Sequence, residues 1–206
     1  MNRLLDELGC DERVRAKRVL AACPSVEIPR GRAARPPDAA LLVVDRGIVV
    51  VTATDSRRIA IAVAPAGDLL APLANGEELL GLTDARVISV TRDAEGALLR
   101  TPSVAQAVID ALIASLRDRK ASLANFARFP HVERVRGKLL QLARSHGRVV
   151  EGGVLIDLPL THELLAESVG SRRETVTLAL RELMRSGFVE RADRRFRVRV
   201  APEELE

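Results

Sequence analysis

The chain has 206 residues, 47% apolar and 29% charged, with two cysteines and a net charge of +4, which suits two modest globular domains and excludes wholesale disorder. It has no apolar run long enough for a membrane helix, an acidic start (Asp6, Glu7, Asp11, Glu12) unlike a signal peptide and too few cysteines for a disulfide framework, so a cytoplasmic protein with no membrane partner is expected. The charge is uneven: residues 1–127 hold 17 Lys/Arg against 16 Asp/Glu, and residues 128–200 hold 15 against 9, before an acidic end from Glu203 to Glu206.

Residues 3–22 show helical spacing interrupted at Gly9, which predicts two short helices with Leu4, Leu5, Leu8, Val14, Val19 and Leu20 available for burial. Pro24, Pro29, Gly31, Pro36 and Pro37 then predict irregular surface chain. From Leu41 the period changes. Leu41–Val44, Ile48–Thr54, Ile59–Ala64 and Val87–Val90 are short β-branched runs separated by Asp45-Arg46-Gly47, Asp55-Ser56-Arg57 and Pro65-Ala66-Gly67-Asp68, which predict a small antiparallel barrel or sandwich.

A long helix is predicted from Ser103 to Ala127. Ala105, Ile109, Leu112, Leu116, Arg119, Leu123 and Phe126 repeat at alternating spacings of four and three, the seam of a coiled coil. Arg119 is the one charge in it, able to set register or to pair with Asp118 of a second copy. A second stripe, Val104, Val108, Ala111 and Ser115, is available to pack on the β domain. The simpler reading is one amphipathic helix covering its own domain, but two apolar stripes exceed what one face needs.

Phe129-Pro130 ends that helix and marks a domain boundary. His131–Ser145 reads as a helix with Val132, Val135, Leu139, Leu140 and Leu142 inward, closed by Gly147. Val149-Val150 and Val154–Ile156 flank Gly152-Gly153 as a hairpin. Leu160–Leu183 then reads as helix, turn and helix: Gly170 permits the turn, and Ser171 with Glu174 predicts a capping box opening a helix at Arg172. In that helix Val176, Ala179, Leu180 and Leu183 share one face, and Glu174, Leu178, Arg181 and Arg185 the other, a mixed surface that a DNA major groove accepts. Gly187 stops the helix. Phe188–Arg191 and Phe196–Val200 form a two-stranded wing around Ala192–Arg195, with Arg194, Arg195, Arg197 and Arg199 on a basic edge; charged edges also simply resist aggregation.

Leu160-Thr161, Leu164–Ala166, Val169-Gly170 and Arg173-Glu174-Thr175-Val176, followed by Leu180 and Leu183, stand in the order and spacing of the DNA-binding domain of the cyclic-AMP receptor protein/FNR (CRP/FNR) family of bacterial transcription regulators, which this segment resembles. Leu42–Val49 and Ala64–Leu70 are similar to turns of that family's effector domain. The resemblance implies an α+β chain: a divergent cyclic-nucleotide-binding-like effector domain of cupin-like, jelly-roll β type (1–101), a dimerisation helix and hinge (102–129) including Ile109, Leu112, Leu116, Arg119 and Leu123, and a winged helix-turn-helix domain (130–206).

The resemblance implies base reading by Arg173, on guanine, and Glu174, on cytosine, with Thr177 and Leu178 on the same face. Leu178 replaces an arginine of the family and suits a thymine methyl instead. Thr161, His162, Arg172 and Thr175 match phosphate-touching positions, and Arg195 of the wing is expected beside the DNA backbone.

The effector half departs from the family. Gly76-Glu77 is a remnant of its phosphate-holding turn, but no Arg-Ser pair follows: Arg86 is succeeded by Val87. The plain reading of Glu77, Glu78 and Arg86 is surface charge on a loop. Cyclic nucleotide is not expected, nor is any cofactor; Cys10 and Cys23 are half of an iron-sulfur ligand set, and His131, His146 and His162 lack ligand spacing. A Cys10/Cys23 redox pair stays open beside two ordinary small side chains. No catalytic constellation supports an enzyme. The expectation is a homodimeric, sequence-specific transcription regulator on an inverted-repeat operator, partnered by double-stranded DNA and, through the family, RNA polymerase, with room for an unidentified effector. An alternative is a protein- or RNA-interaction module that uses the winged helix without specific DNA binding.

Overall fold

The computed structural model describes residues 9–54, 57–126, 130–192, 195–201 and 203. Leu4, Leu5 and Leu8, the Asp55-Ser56 turn, the helix end at Ala127, Phe129 of the boundary, Arg194 and the acidic end from Glu204 lie outside the described residues. The chain divides into two compact units, Met1–Arg117 and Asp118–Glu206. Among the described residues no single helix is long and apolar enough to cross a membrane.

The N-terminal unit is built on two four-stranded antiparallel sheets. One has the order β1 (Ser25–Ile28), β8 (Ala85–Val90), β3 (Leu41–Arg46), β6 (Leu69–Leu70), the other β2 (Ala33–Ala34), β7 (Glu77–Gly81), β4 (Ile48–Thr54), β5 (Arg58–Pro65). Alternation along β3 explains its unbroken apolar run. Leu42 and Val44 join Ile28, Val49, Val51, Leu70, Leu79 and Val87 in one buried cluster, while Leu41 and Val43 join Leu69, Ile88 and Val90 in a second. The second is completed by Ala16 and Leu20 of α1 (Cys10–Ala21), Leu98 of α2 (Arg92–Leu99), and Val104 and Val108 of α3 (Pro102–Phe126). Gly47 makes the β3-β4 turn at φ 78°, where a Cβ would stand 2.2 Å from the Asp84 carbonyl.

Several expectations are corrected here. Val14 is exposed rather than available for burial, on the helix Cys10–Ala21 that follows the expected break with Gly9 as its N-cap. The proline-rich stretch is not irregular throughout: Pro24 and Pro29 bracket β1, and β1 and β2 lie at sheet edges, where prolines cost no ladder bonds. Glu77 and Glu78 are half-buried and open β7, which pairs with Val49–Ala53; only Leu79 and Gly81 of β7 are buried, too short a signal to stand out. Arg86 sits in β8, not on a loop, 3.2 Å from Ser25 Oγ and 3.8 Å from Asp45. The helix α2 adds an element that periodicity does not announce; the Thr91 hydroxyl caps it by accepting from the Ala94 amide.

The C-terminal unit holds the last turns of α3, then α4 (His131–His146), the hairpin β9 (Gly147–Val150) and β10 (Gly153–Ile156), α5 (His162–Ser168), α6 (Arg173–Arg185) and the wing β11 (Val189–Ala192) and β12 (Arg195–Val198), with sheet order β11-β12-β10-β9. Gly147 does not close α4 as a left-handed cap. It is extended and begins β9, where a Cβ would lie 2.1 Å from the Ala143 carbonyl. Asp118 accepts from Ser145 Oγ at 2.8 and 2.9 Å within its own unit, so its carboxylate is already engaged rather than kept for Arg119 of another copy.

Candidate nucleic-acid interface

The helix α5 begins at Thr161, whose hydroxyl oxygen accepts from the Leu164 amide at 3.1 Å, and ends in a left-handed Gly170 (φ 61°) with the Ser171 amide donating to the Ala166 carbonyl. Ser171 does not cap the next helix. It is buried, its Oγ stands 3.1 Å from His131 Nδ1, and α6 starts one residue later than predicted, behind an Arg172 N-cap that makes no side-chain bond. The capping-box spacing to Glu174 is thereby lost: a partner forty positions away outcompetes the local one.

Val176, Ala179, Leu180 and Leu183 of α6 are buried, and Arg172, Arg173, Glu174, Leu178, Arg181 and Arg185 are exposed; Leu178 shows 63% of its surface. Gly187 (φ 76°) ends α6, with Gly187 and Phe188 amides returning to the Met184 and Leu183 carbonyls. Thr175 and Thr177 are half-buried, and the Thr177 hydroxyl donates to the Arg173 carbonyl at 2.9 Å. His162 is half-buried with Nδ1 at 2.9 Å from Thr177 Oγ1. Burial first, then the guanidiniums of Arg191, Arg173 and Arg181, push its pKa below the ordinary histidine value. Arg181 belongs to the face expected toward a major groove, whereas Arg191 carried no expected role. The periodicity signals Arg181, two turns beyond Arg173 on the same face; nothing local signals Arg191.

On the wing, Arg195 pairs with Asp157 at 3.0 Å, Arg199 with Glu190 at 2.6 Å, and Arg197 with Glu190 as well. The basic edge is therefore partly neutralised. Arg195 is half exposed, and a phosphate reaching it would exchange with Asp157.

The predicted dimer seam on α3 is uneven: Ile109, Leu116 and Leu123 expose 49%, 54% and 70%, as does Ile113 at 42%, whereas Leu112 and Arg119 are half-buried. The second stripe does pack on the β unit through Val104 and Val108.

In the N-terminal unit, Arg35 donates to the carbonyls of Leu73, Ala74 and Glu77 at 3.1, 2.9 and 2.7 Å, and the Glu77 carboxylate accepts from the Ala74 amide. The Gly76-Glu77 remnant is thus engaged by its own loop. Cys10 is the first residue of the 12-residue α1 and Cys23 lies two residues past its last, roughly 18 Å away at 1.5 Å per residue, which excludes a disulfide between them within one chain, since bridged Cα atoms lie within about 7 Å.

Residues 133–206 match the family model of the Crp-like helix-turn-helix domain. Over 109 residues the chain is 31% identical to the CRP-like cAMP-activated global transcriptional regulator of Mycobacterium tuberculosis, covering 52% of this chain and 49% of that protein. Over 93 residues it is 31% identical to the global nitrogen regulator of Synechococcus elongatus, covering 45% and 42%. The chain spans about half the length of the curated relatives it matches. In fold it is similar to a CooA mutant from Carboxydothermus hydrogenoformans (TM-score 0.75, 19% identity, 91% of this chain and 88% of that one) and to FixK2 from Bradyrhizobium japonicum (TM-score 0.67, 22% identity, 89% and 96%). The two curated relatives are regulators by name. Residues 133–206 thus resemble the Crp-like helix-turn-helix domain, and over about nine-tenths of its length the chain shares the fold of these two solved structures.

Proposed function

We propose that the chain is a sequence-specific DNA-binding transcription regulator that acts as a homodimer on an inverted-repeat operator. The observation that carries this reading is the two-faced α6: four buried apolar residues behind, and Arg173, Glu174 and Leu178 exposed in front. Arg173 donates to a guanine edge, Glu174 accepts from cytosine, Leu178 meets a thymine methyl, and Thr177, its hydroxyl engaged, contributes its methyl group. His162, next to Thr161 in the chain, is held by Thr177, whereas Thr161, Arg172, Thr175 and Arg195 serve the sugar-phosphate backbone. Thr161 retains its hydroxyl proton for this, because its cap uses only the oxygen.

Residues 1–101 act as the effector-like domain, 102–129 as dimerisation helix and hinge, and 130–206 as the DNA-binding domain. The exposed Ile109, Leu116 and Leu123 support pairing of α3 with its copy, and two-fold symmetry then requires half-sites about one helical turn apart. RNA polymerase is the further partner that the family suggests. The M. tuberculosis relative is cAMP-activated by name; the loop closed by Arg35 and the engaged Arg86 argue against carrying that ligand over.

Arg173→Ala is expected to weaken binding by roughly 1–3 kcal/mol and to relax discrimination at one base pair, read by footprinting on selected and mutated duplexes. Equal loss on every sequence would sink the assignment. Arg195→Ala should instead weaken all sequences alike and flatten the salt dependence. Leu116→Glu should yield monomers in sedimentation. A ligand that gates binding must raise the melting temperature, about 2.7 kcal/mol at a hundred times its Kd; cyclic AMP and cyclic GMP are expected to leave it unmoved. Retention of a protein or RNA partner with no duplex at low salt would favour the interaction-module reading.

A further inference from the structure

His162, the first residue of α5, reaches across to the recognition helix: its Nδ1 lies 2.9 Å from Thr177 Oγ1, and that hydroxyl donates to the Arg173 carbonyl, four residues back. A threonine hydroxyl has one proton. Since it goes to Arg173, the other bond must be donated by His162 Nδ1–H, which fixes the tautomer. Nε2 is then where a second proton would go, and it is enclosed without a hydrogen-bond partner among the described residues. The charged groups facing the ring are Arg173 and Arg181 from α6 and Arg191 from β11.

We propose that His162 is a positioning residue for DNA recognition: through Nδ1–H and the Thr177 hydroxyl it clamps the first turn of α6 to the start of α5 and so aims Arg173. This rests on the DNA-binding reading above. A phosphate contact made from the enclosed Nε2 would need the ring to swing out and release Thr177, so the clamp and a direct backbone contact are separable roles.

The clamp has a proton-linked consequence. In the free protein burial and three guanidiniums keep the second proton off the ring. Duplex phosphates and guanine oxygens offset those guanidinium charges, so the imidazole binds a proton more readily in the complex than in the free protein. Affinity therefore rises as pH falls through the interval between the free and bound pKa values, and is flat above the bound one. Protonation leaves the Nδ1–H clamp intact.

The probe is a duplex selected from a randomised pool by the wild-type protein. His162→Ala and Thr177→Val should each weaken its binding about three- to tenfold, one hydrogen bond's worth, with the double variant no weaker than either single one. His162→Asn, whose amide donates from the Nδ1 position, should bind within about twofold of wild type at about pH 8 and lack the tightening that the wild type shows toward about pH 5.5. Multiplying penalties in the double variant would make His162 a contact independent of Thr177 and overturn the clamp. A wild type that selects no duplex defeats the DNA-binding reading itself. The clamp is then decided by imidazole nitrogen-15 shifts at about pH 8, where an Nδ1–H tautomer upholds it and an Nε2–H tautomer overturns it.

Discussion

Between the two sheets of the N-terminal unit lie Ile28, Leu42, Val44, Val49, Leu79 and Val87, and the buried polar side chains among the described residues there are Thr52 and Ser89. The C-terminal unit instead buries Asn125, Arg134, Lys138, Gln141, Glu167, Ser168 and Ser171. Several of them form one joint. Lys138 Nζ donates to Ser122 Oγ and Gln141 Oε1, both at 3.2 Å; Gln141 Nε2 donates to the Asp118 carbonyl at 2.7 Å; Asn125 donates to the Arg134 carbonyl at 2.7 Å. Arg134 bonds His131 and donates to the Val169 carbonyl at the turn before α6. Apolar burial is non-directional, so in the sandwich it is the ladder hydrogen bonds and the in-out alternation of the strands that fix the register. In the joint, directional side-chain bonds in a dry interior fix it. The polar joint is where the end of α3, α4 and the helix-turn-helix turn are set against each other, and the recognition surface depends on it.

The largest effect should come from the apolar side. Leu79 is fully buried, and Leu79→Ala is expected to lower stability by about 2–5 kcal/mol, with no dependence on pH, measured by denaturant unfolding across a pH series. A loss that varied with pH would break the contrast.

The polar joint should respond to pH through Lys138. Burial lowers its pKa from 10.5 to about 8, although Asp118 pulls the other way. Between those values the unfolded chain binds more protons than the folded one, so stability rises with pH from about 8 to about 10.5 and is flat below, where the amine is charged in both states. The gain is on the order of 1–3 kcal/mol and belongs to the C-terminal unit; hydrogen exchange should show it in α4 amides and not in β4. Lys138→Met should abolish the response while leaving stability near neutral pH within about 1 kcal/mol, because an apolar side chain of similar volume replaces a buried charge.

The same contrast explains what the sequence could disclose. The sandwich strands from Leu41 to Thr54 and the buried face of α6 follow local periods, and Gly170 and Gly187 sit where left-handed backbone is needed, so all are legible. The strands β1, β2, β6 and β7 are two to five residues long and exist because longer strands pair with them, which no local window contains. Arg134, Lys138 and Gln141 each precede an inward apolar residue of α4, on a side that looks solvated until the end of α3 covers it. Ser171 fails as a cap for a similar reason: His131, remote in sequence, takes its hydroxyl. The exposed face of α6 was legible as a surface; the His162–Thr177 bond behind it was not, since neither residue type announces the pairing.

The smallest effect lies at the rim of the polar framework, where Thr161 caps α5. Thr161→Ala removes the acceptor for the Leu164 amide and should cost about 1 kcal/mol. Asparagine at this position accepts the same bond, so Thr161→Asn should restore the melting temperature. The pair of variants separates two jobs of one hydroxyl. The cap uses the oxygen as acceptor, whereas a phosphate contact uses the proton. If Thr161→Asn regains stability but binds the selected duplex as weakly as Thr161→Ala, the hydroxyl proton touches the backbone; if both recover together, either the cap alone accounts for Thr161 or the asparagine amide donates in the hydroxyl's place.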